Sequence, residues 1–145
     1  MRSVISRLFL LALAVSAIAC GDDDSFSPTV ETVAGSYTAS TFTLSSPVGT
    51  INLLGAGATV TVDLARDGTT TGRLFVPGGN TDGSDLDDDL AGTWSLTDST
   101  VTFQQSTSTI IPDLEFIASA NRLTAEGSFS GGTLRLVLTK TASAS

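Results

Sequence analysis

The sequence predicts an all-β fold, an antiparallel up-and-down barrel of about eight or nine short strands. Three observations predict it. Runs rich in Thr, Val, Leu and Phe alternate apolar with polar residues. In Thr59-Val60-Thr61-Val62-Asp63-Leu64 this sets Val60, Val62 and Leu64 on one face. Gly, Asn, Asp and Ser separate the runs at the spacing of tight hairpins. No stretch beyond residue 29 repeats apolar residues at helical spacing. Sequential hairpins make neighbouring strands antiparallel. That many strands within residues 31–140 must curl, and closure into a barrel removes the exposed edges of an open sheet. Two packed sheets, a β-sandwich, are the alternative.

The first 30 residues stand outside that domain. Residues 1–7 carry Arg2 and Arg7 and no acid. Residues 8–19 are apolar except for Ser16, and Ala17-Ile18-Ala19 supplies small residues before a cut. That order is the order of a secretory signal peptide, helical in itself and covering residues 1–19. An apolar run of about a dozen residues is too short to span a bilayer, which takes roughly twenty. The chain's sole cysteine, Cys20, follows at the boundary. A thiolate is the nucleophile that accepts a lipid. Ala17-Ile18-Ala19-Cys20 resembles a lipobox, with Ala17 where a larger aliphatic residue is usual.

The resemblance implies an exported lipoprotein with Cys20 as the lipid-bearing first residue of the mature chain. It is anchored to the membrane without crossing it. Gly21 after the cysteine, by resemblance to other bacterial lipoproteins, implies the outer membrane, facing the periplasm or the cell surface. Residues 20–30, with Asp22-Asp23-Asp24 and Pro28, read as a flexible acidic tether.

The strands then follow in order. Residues 37–44 form the first, after Gly35, and Ser46-Pro47-Val48-Gly49 turns into a short apolar run at 50–54. Residues 59–64 come next, and Asp67-Gly68 makes a tight hairpin to residues 69–76, where Gly72 marks a bulge or bend. Residues 77–89, dense in carboxylates, form the longest irregular stretch. Strand character resumes at 90–96, with Leu90, Gly92, Trp94 and Leu96 on one face, and continues after a turn at 100–105 with Val101 and Phe103 inward. Residues 106–112 carry no pattern that assigns them. Residues 114–118 and 122–129 are strands, and Leu134, Leu136 and Leu138 mark the inner face of the last. Residues 141–145 are a tail.

Val33-Ala34-Gly35-Ser36-Tyr37 and Leu90-Ala91-Gly92-Thr93-Trp94 echo each other: aliphatic, Ala, Gly, hydroxyl, aromatic. Gly-x-Trp at the start of a strand is a hallmark of lipocalins. The combination of leader, acidic tether, Gly-x-aromatic, hairpins and a closing Leu-x-Leu-x-Leu strand resembles bacterial lipocalin-like lipoproteins. The tryptophan copy lies mid-chain here, and the first-strand copy has Tyr37. The resemblance implies a barrel that holds a small apolar or amphiphilic ligand. Tyr37, Trp94, Phe103 and Phe116 are the candidate ligand-binding side chains, with core packing as their other use.

Composition bounds the chemistry. There is no histidine, and the only thiol sits at the lipobox, so Ser-His-Asp and Cys-His catalysis are excluded, as are His or Cys metal sites. No serine, threonine or carboxylate pair stands out as catalytic. The expectation is a protein that is not an enzyme and carries no cofactor and no metal. Asp82, Asp85, Asp87 and Asp89 are weak calcium candidates; their spacing does not match an EF-hand loop. Residues 1–19 hold two of the seven basic residues and none of the fifteen acidic ones, leaving a net charge near −10. That charge disfavours nucleic acid. The expected function is a lipid-anchored envelope barrel binding a small apolar ligand. The alternative is an envelope interaction protein, or an inhibitor, that meets a cationic partner through its acidic surface.

Overall fold

The computed structural model of the chain describes residues 26–105, 110–129 and 131–141. The leader, Cys20, most of the tether and all but the first residue of the tail lie outside the described residues. The described residues form one helical turn, α1 (Val30–Val33), and ten strands. The strands are β1 (Gly35–Ser46), β2 (Gly49–Asn52), β3 (Thr59–Leu64), β4 (Thr69–Val76), β5 (Leu86–Asp89), β6 (Gly92–Thr97), β7 (Thr100–Gln105), β8 (Phe116–Ser119), β9 (Arg122–Phe129) and β10 (Gly132–Lys140).

All pairings are antiparallel, and β10 returns to β1 to close an eight-stranded barrel with β2 and β5 as extra strands. The closing register runs from Tyr37↔Lys140 to Ser45↔Thr133. It shifts by one residue between Ala39 and Thr41. The extra residue is Ser40, whose hydroxyl meets that of Thr139 at 2.7 Å. Following the chain round the barrel, each wall strand neighbours the one before it, so the fold is the up-and-down barrel and not the sandwich.

The alternation seen in the sequence is the cause. In β3 every second residue is buried, and Val60, Val62 and Leu64 face the core with Leu74 and Val76 of β4. Asp67-Gly68 turns the chain as expected: Gly68 takes φ +88°, and the Asp67 carboxylate accepts the Thr69 amide at 3.0 Å. The core is continuous and apolar, running from Val33 through Phe116 and Leu136 to Leu138.

Four features depart from the sequence expectations. Residues 77–89 are not irregular throughout. Leu86–Asp89 pairs with the upper half of β4, Val76↔Leu86 to Arg73↔Asp89. The same register continues through Leu90, whose amide meets the Gly72 carbonyl at 3.0 Å, to Thr70↔Gly92 of β6. So β5 and β6 lie in one register along the same edge of β4. Aspartate disfavours strands by propensity, but Leu86 and Leu90 keep the inward alternation. Gly72 makes no bulge, since Val62↔Gly72 stays in register. Its role is close approach: a Cβ there would lie 2.2 Å from the Thr61 carbonyl oxygen. Ile110, Ile111 and Leu114, at and after the unassigned stretch, enter the core. Finally, Val30–Val33 is helical, because Thr29 and Thr32 form a reciprocal capping box that satisfies the first amides of the turn.

Candidate functional site

The two ends of the barrel differ. The starts of β1, β4 and β9 and the ends of β3 and β10 meet at one end, and α1 lies across it. Val33 is buried there, and the Tyr37 hydroxyl donates to the Val33 carbonyl at 2.6 Å. The Lys140 ammonium donates to the Thr32 carbonyl at 2.8 Å and sits 5.8 Å from the Tyr37 ring centre. Burial pushes the Tyr37 phenol up from 10.0 to about 12. The Trp94 indole donates to the Ala65 carbonyl at 2.8 Å, fixing β6 to the β3–β4 hairpin. Both Gly-x-aromatic copies therefore place a ring in the core with its polar atom on a backbone carbonyl, which is what a buried Tyr or Trp requires. The glycine of the second copy is needed sterically: a Cβ at Gly92 would stand 2.1 Å from the Gln104 carbonyl oxygen.

None of the four candidate aromatics lines the apolar pocket at the other end of the barrel. Tyr37, Trp94, Phe103 and Phe116 are all buried in the continuous core. Phe103 and Phe116 pack edge to face, 5.2 Å between ring centres. This end and middle of the barrel are filled by side chains.

Among the described residues the opposite end is open. There Phe42, Leu44, Leu53, Val76, Pro77, Gly78, Gly79, Leu86, Ile110, Phe129 and Leu134 surround an apolar pocket of about 220 Å³. That is larger than the ~150 Å³ apolar cavity that accepts benzene, and smaller than the ~300 Å³ at which drug-sized sites begin. One ring or a short alkyl chain fits it. It is built by β1 and Leu53 after β2 on one side, by β4, β5 and their connection on the other, by the facing ends of β9 and β10, and by Ile110 from the segment before β8. The β1–β2 hairpin adds apolar surface at the rim, with Val48 and Ile51 exposed. A wider hollow of about 740 Å³ along Ala91–Thr93 and Thr102–Gln105 is lined largely by Thr and Gln and open to solvent, so it encloses little of any ligand.

The four calcium-candidate aspartates are each used separately. Asp82 accepts from the Ser84 amide and hydroxyl, which holds its carboxyl below the usual range. Asp85 accepts the Gly78 amide at 2.9 Å. Asp87 pairs with Arg73 at 2.5 Å, and the Arg73 hydrogen bonds lower its carboxyl. Asp89 accepts the Ala91 amide at 3.0 Å. Among the described residues, no three acidic, His or Cys side chains converge on one point. Phe75 is half-buried, with the Arg73 guanidinium 5.6 Å from its ring centre.

The mouth residues were not legible as a set in the sequence. The nearest signals are the inward alternation of Leu86 with Leu90 and the strand-breaking Pro77-Gly78-Gly79. Cys20 lies outside the described residues. No family model, curated protein or solved structure matches the chain.

Proposed function

We propose that the chain is a non-catalytic, lipid-anchored protein of the cell envelope, whose lipocalin-like barrel holds a small apolar ligand in its open mouth. The observation that carries the reading is the pocket. Among the described residues it is apolar, lined from several elements and open at one end of the barrel, with no catalytic constellation beside it. The lack of histidine, and of any thiol but Cys20, supports a binding role.

The leader and lipobox support the anchor, and the barrel's polarity is consistent with it. The chain enters through α1 at the closed end. Only six residue steps separate Cys20 from Phe26, at most about 20 Å of extended chain. The closed end then stands toward the anchoring membrane, the outer one by the Gly21 resemblance, and the mouth opens away from it. The net acidic surface gives nucleic acid no footing.

Native mass spectrometry of the protein purified from its own cells tests both parts. The expected result is a lipid-sized mass on the N-terminal peptide beginning at Cys20 and a small retained molecule. Leu53→Trp, which adds bulk to a half-buried wall of the pocket, is expected to reduce the retained fraction. An unmodified Cys20 peptide overturns the anchor. A bare protein, or retention that Leu53→Trp leaves untouched, overturns the mouth as the site.

A further inference from the structure

Exposed apolar side chains gather on one half of the mouth. Among the described residues five large apolar side chains are exposed, and three of them, Val48, Ile51 and Phe129, belong to the β1–β2 hairpin and the end of β9. Val48 is 98 % exposed. It shares the hairpin tip with Pro47, where Ser46 pairs with Gly49. Two-residue tips are ordinarily built from Asn, Asp or Gly. Here the tip is apolar, and Gly49 after it takes the positive φ, +142°. The turn from β9 to β10 stands beside it. Ser45 pairs with Thr133, and a Cβ on Gly132 would lie 2.4 Å from the Ser45 carbonyl oxygen. Phe129 pairs with Gly132 across that turn.

Charge is missing from the same half. No charged residue occurs from 32 to 62, which takes in the β1–β2 hairpin and the 53–58 connection to β3. None occurs from 127 to 134, which takes in the turn from β9 to β10. The rest of the chain after Cys20 carries all fifteen acidic residues and five basic ones. Arg66, Asp67 and Asp98 mark the hairpins of the closed end, and Asp82 and Asp85 the far side of the mouth. The charge-free rim runs straight into the pocket, which Leu44, Leu53 and Phe129 line. A protein partner is held in register by polar and charged groups around an apolar centre. This rim offers protruding apolar tips, a few hydroxyls and no charge, which suits hydrocarbon.

We infer that the charge-free half of the mouth docks on a neutral lipid surface, with Val48 and Ile51 entering the acyl boundary and the aspartates across the mouth left in water. Binding of this kind scales with the apolar area buried, and a carboxylate in hydrocarbon opposes it. The docking does not depend on the pocket. Where the pocket is the ligand site, the rim sets it against acyl chains, and the end of such a chain is the apolar ligand it receives; that step rests on the proposed reading. With Cys20 anchored behind the closed end, the surface met is a facing one and not the anchoring membrane.

Sedimentation with lipid vesicles tests the docking, using the chain from residue 20 onward made without lipid on Cys20. It is expected to co-sediment with phosphatidylcholine vesicles. Mixing phosphatidylglycerol into them is expected to weaken binding at low salt, because the chain is acidic. That weakening is expected to fade in high salt, where the screening length falls to about 3 Å at 1 M. Val48→Asp is expected to weaken the partition by about tenfold or more, the size of losing one buried apolar side chain. Val48 is almost wholly exposed, so the barrel does not depend on it. Val30→Asp, the same charge change on an exposed valine at the closed end, is expected to leave binding unchanged. Failure to sediment, equal effects of the two variants, or tighter binding to the anionic vesicles overturns the docking. Self-association that Val48→Asp abolishes, in place of vesicle binding, makes the rim a contact between copies and overturns it too. Binding of 1-hexanol decides the pocket separately, so loss of the docking leaves that reading standing.

Discussion

Tyr37 and Trp94 perform one task at two points of the barrel, and the cost of removing each follows from the carbonyl it serves. Without the Tyr37 hydroxyl, the Val33 carbonyl loses its side-chain donor in a buried setting, worth about 1–3 kcal/mol. The phenol also sets a pH limit. It ionises near pH 10.0 when unfolded but only near 12 in the barrel. The neutral phenol's contribution is therefore complete below pH 10 and lost as pH rises toward 12. That gap corresponds to about 3 kcal/mol. Lys140, lowered by burial and then by Arg66, works in the opposite sense as pH climbs to the ordinary lysine range. Comparing urea unfolding of the protein with Tyr37→Phe isolates the phenol. The two stabilities are expected to differ by a constant up to pH 10 and to converge above it. A constant difference up to pH 12 contradicts the buried phenol. Gly92→Ala is expected to lower stability by about 1–3 kcal/mol in the same assay, because its Cβ would collide with the Gln104 carbonyl. The two Gly-x-aromatic copies were legible in the sequence as a pattern. Which carbonyl each ring would reach was not, since Tyr37 reaches back to Val33 only because α1 turns the chain there, and Trp94 reaches Ala65 only because β6 pairs with β4.

Among the elements, β5 separates what local pattern can reveal from what pairing decides. Three consecutive aspartates argue against a strand by propensity, yet Asp87–Asp89 pair along β4 because Leu86 and Leu90 both reach inward and Arg73 meets Asp87 across the ladder. Hydrogen exchange distinguishes a strand from a solvated loop. The amides of residues 86–90 are expected to exchange far more slowly than those of residues 81–83, with Leu90 protected by its bond to the Gly72 carbonyl. Equal, fast exchange across 81–90 means that β5 is not formed. The single turn α1 escaped sequence reading for another reason. Four residues are too few to show helical periodicity, and only the Thr29–Thr32 spacing hints at a cap. Its value lies in Val33, which the core covers completely. Val33→Ala is expected to cost about 2 kcal/mol in urea unfolding, whereas Val30→Ala, on an exposed side of the turn, is expected to cost far less.

The molecule as a whole is polar along its barrel axis. One end is shut by α1, Tyr37 and Lys140 and carries Arg66 and Arg122. The other is an apolar mouth with carboxylates on one side. The all-β class, the antiparallel meander and most strand positions could be read from alternation and turn residues, because those signals are local. Closure into a barrel was expected from the number of strands, but the register joining β1 to β10 and the location of the empty space could not be read, because both depend on residues far apart in the chain, such as Leu44 and Leu134. The inward aromatics were the reasonable guess for a ligand wall. They are buried in the core, and the apolar pocket lies where Leu, Val, Pro and Gly side chains meet Phe42 and Phe129. The proposed site is therefore the mouth. It is tested most directly by methyl NMR during titration with 1-hexanol. The expected result is a set of saturable shifts confined to Leu44, Leu53, Val76, Leu86, Ile110 and Leu134, with the methyls of Val33, Leu123 and Leu138 unmoved. Shifts at Val33, Leu123 and Leu138, or no saturable shifts at the mouth, contradict it.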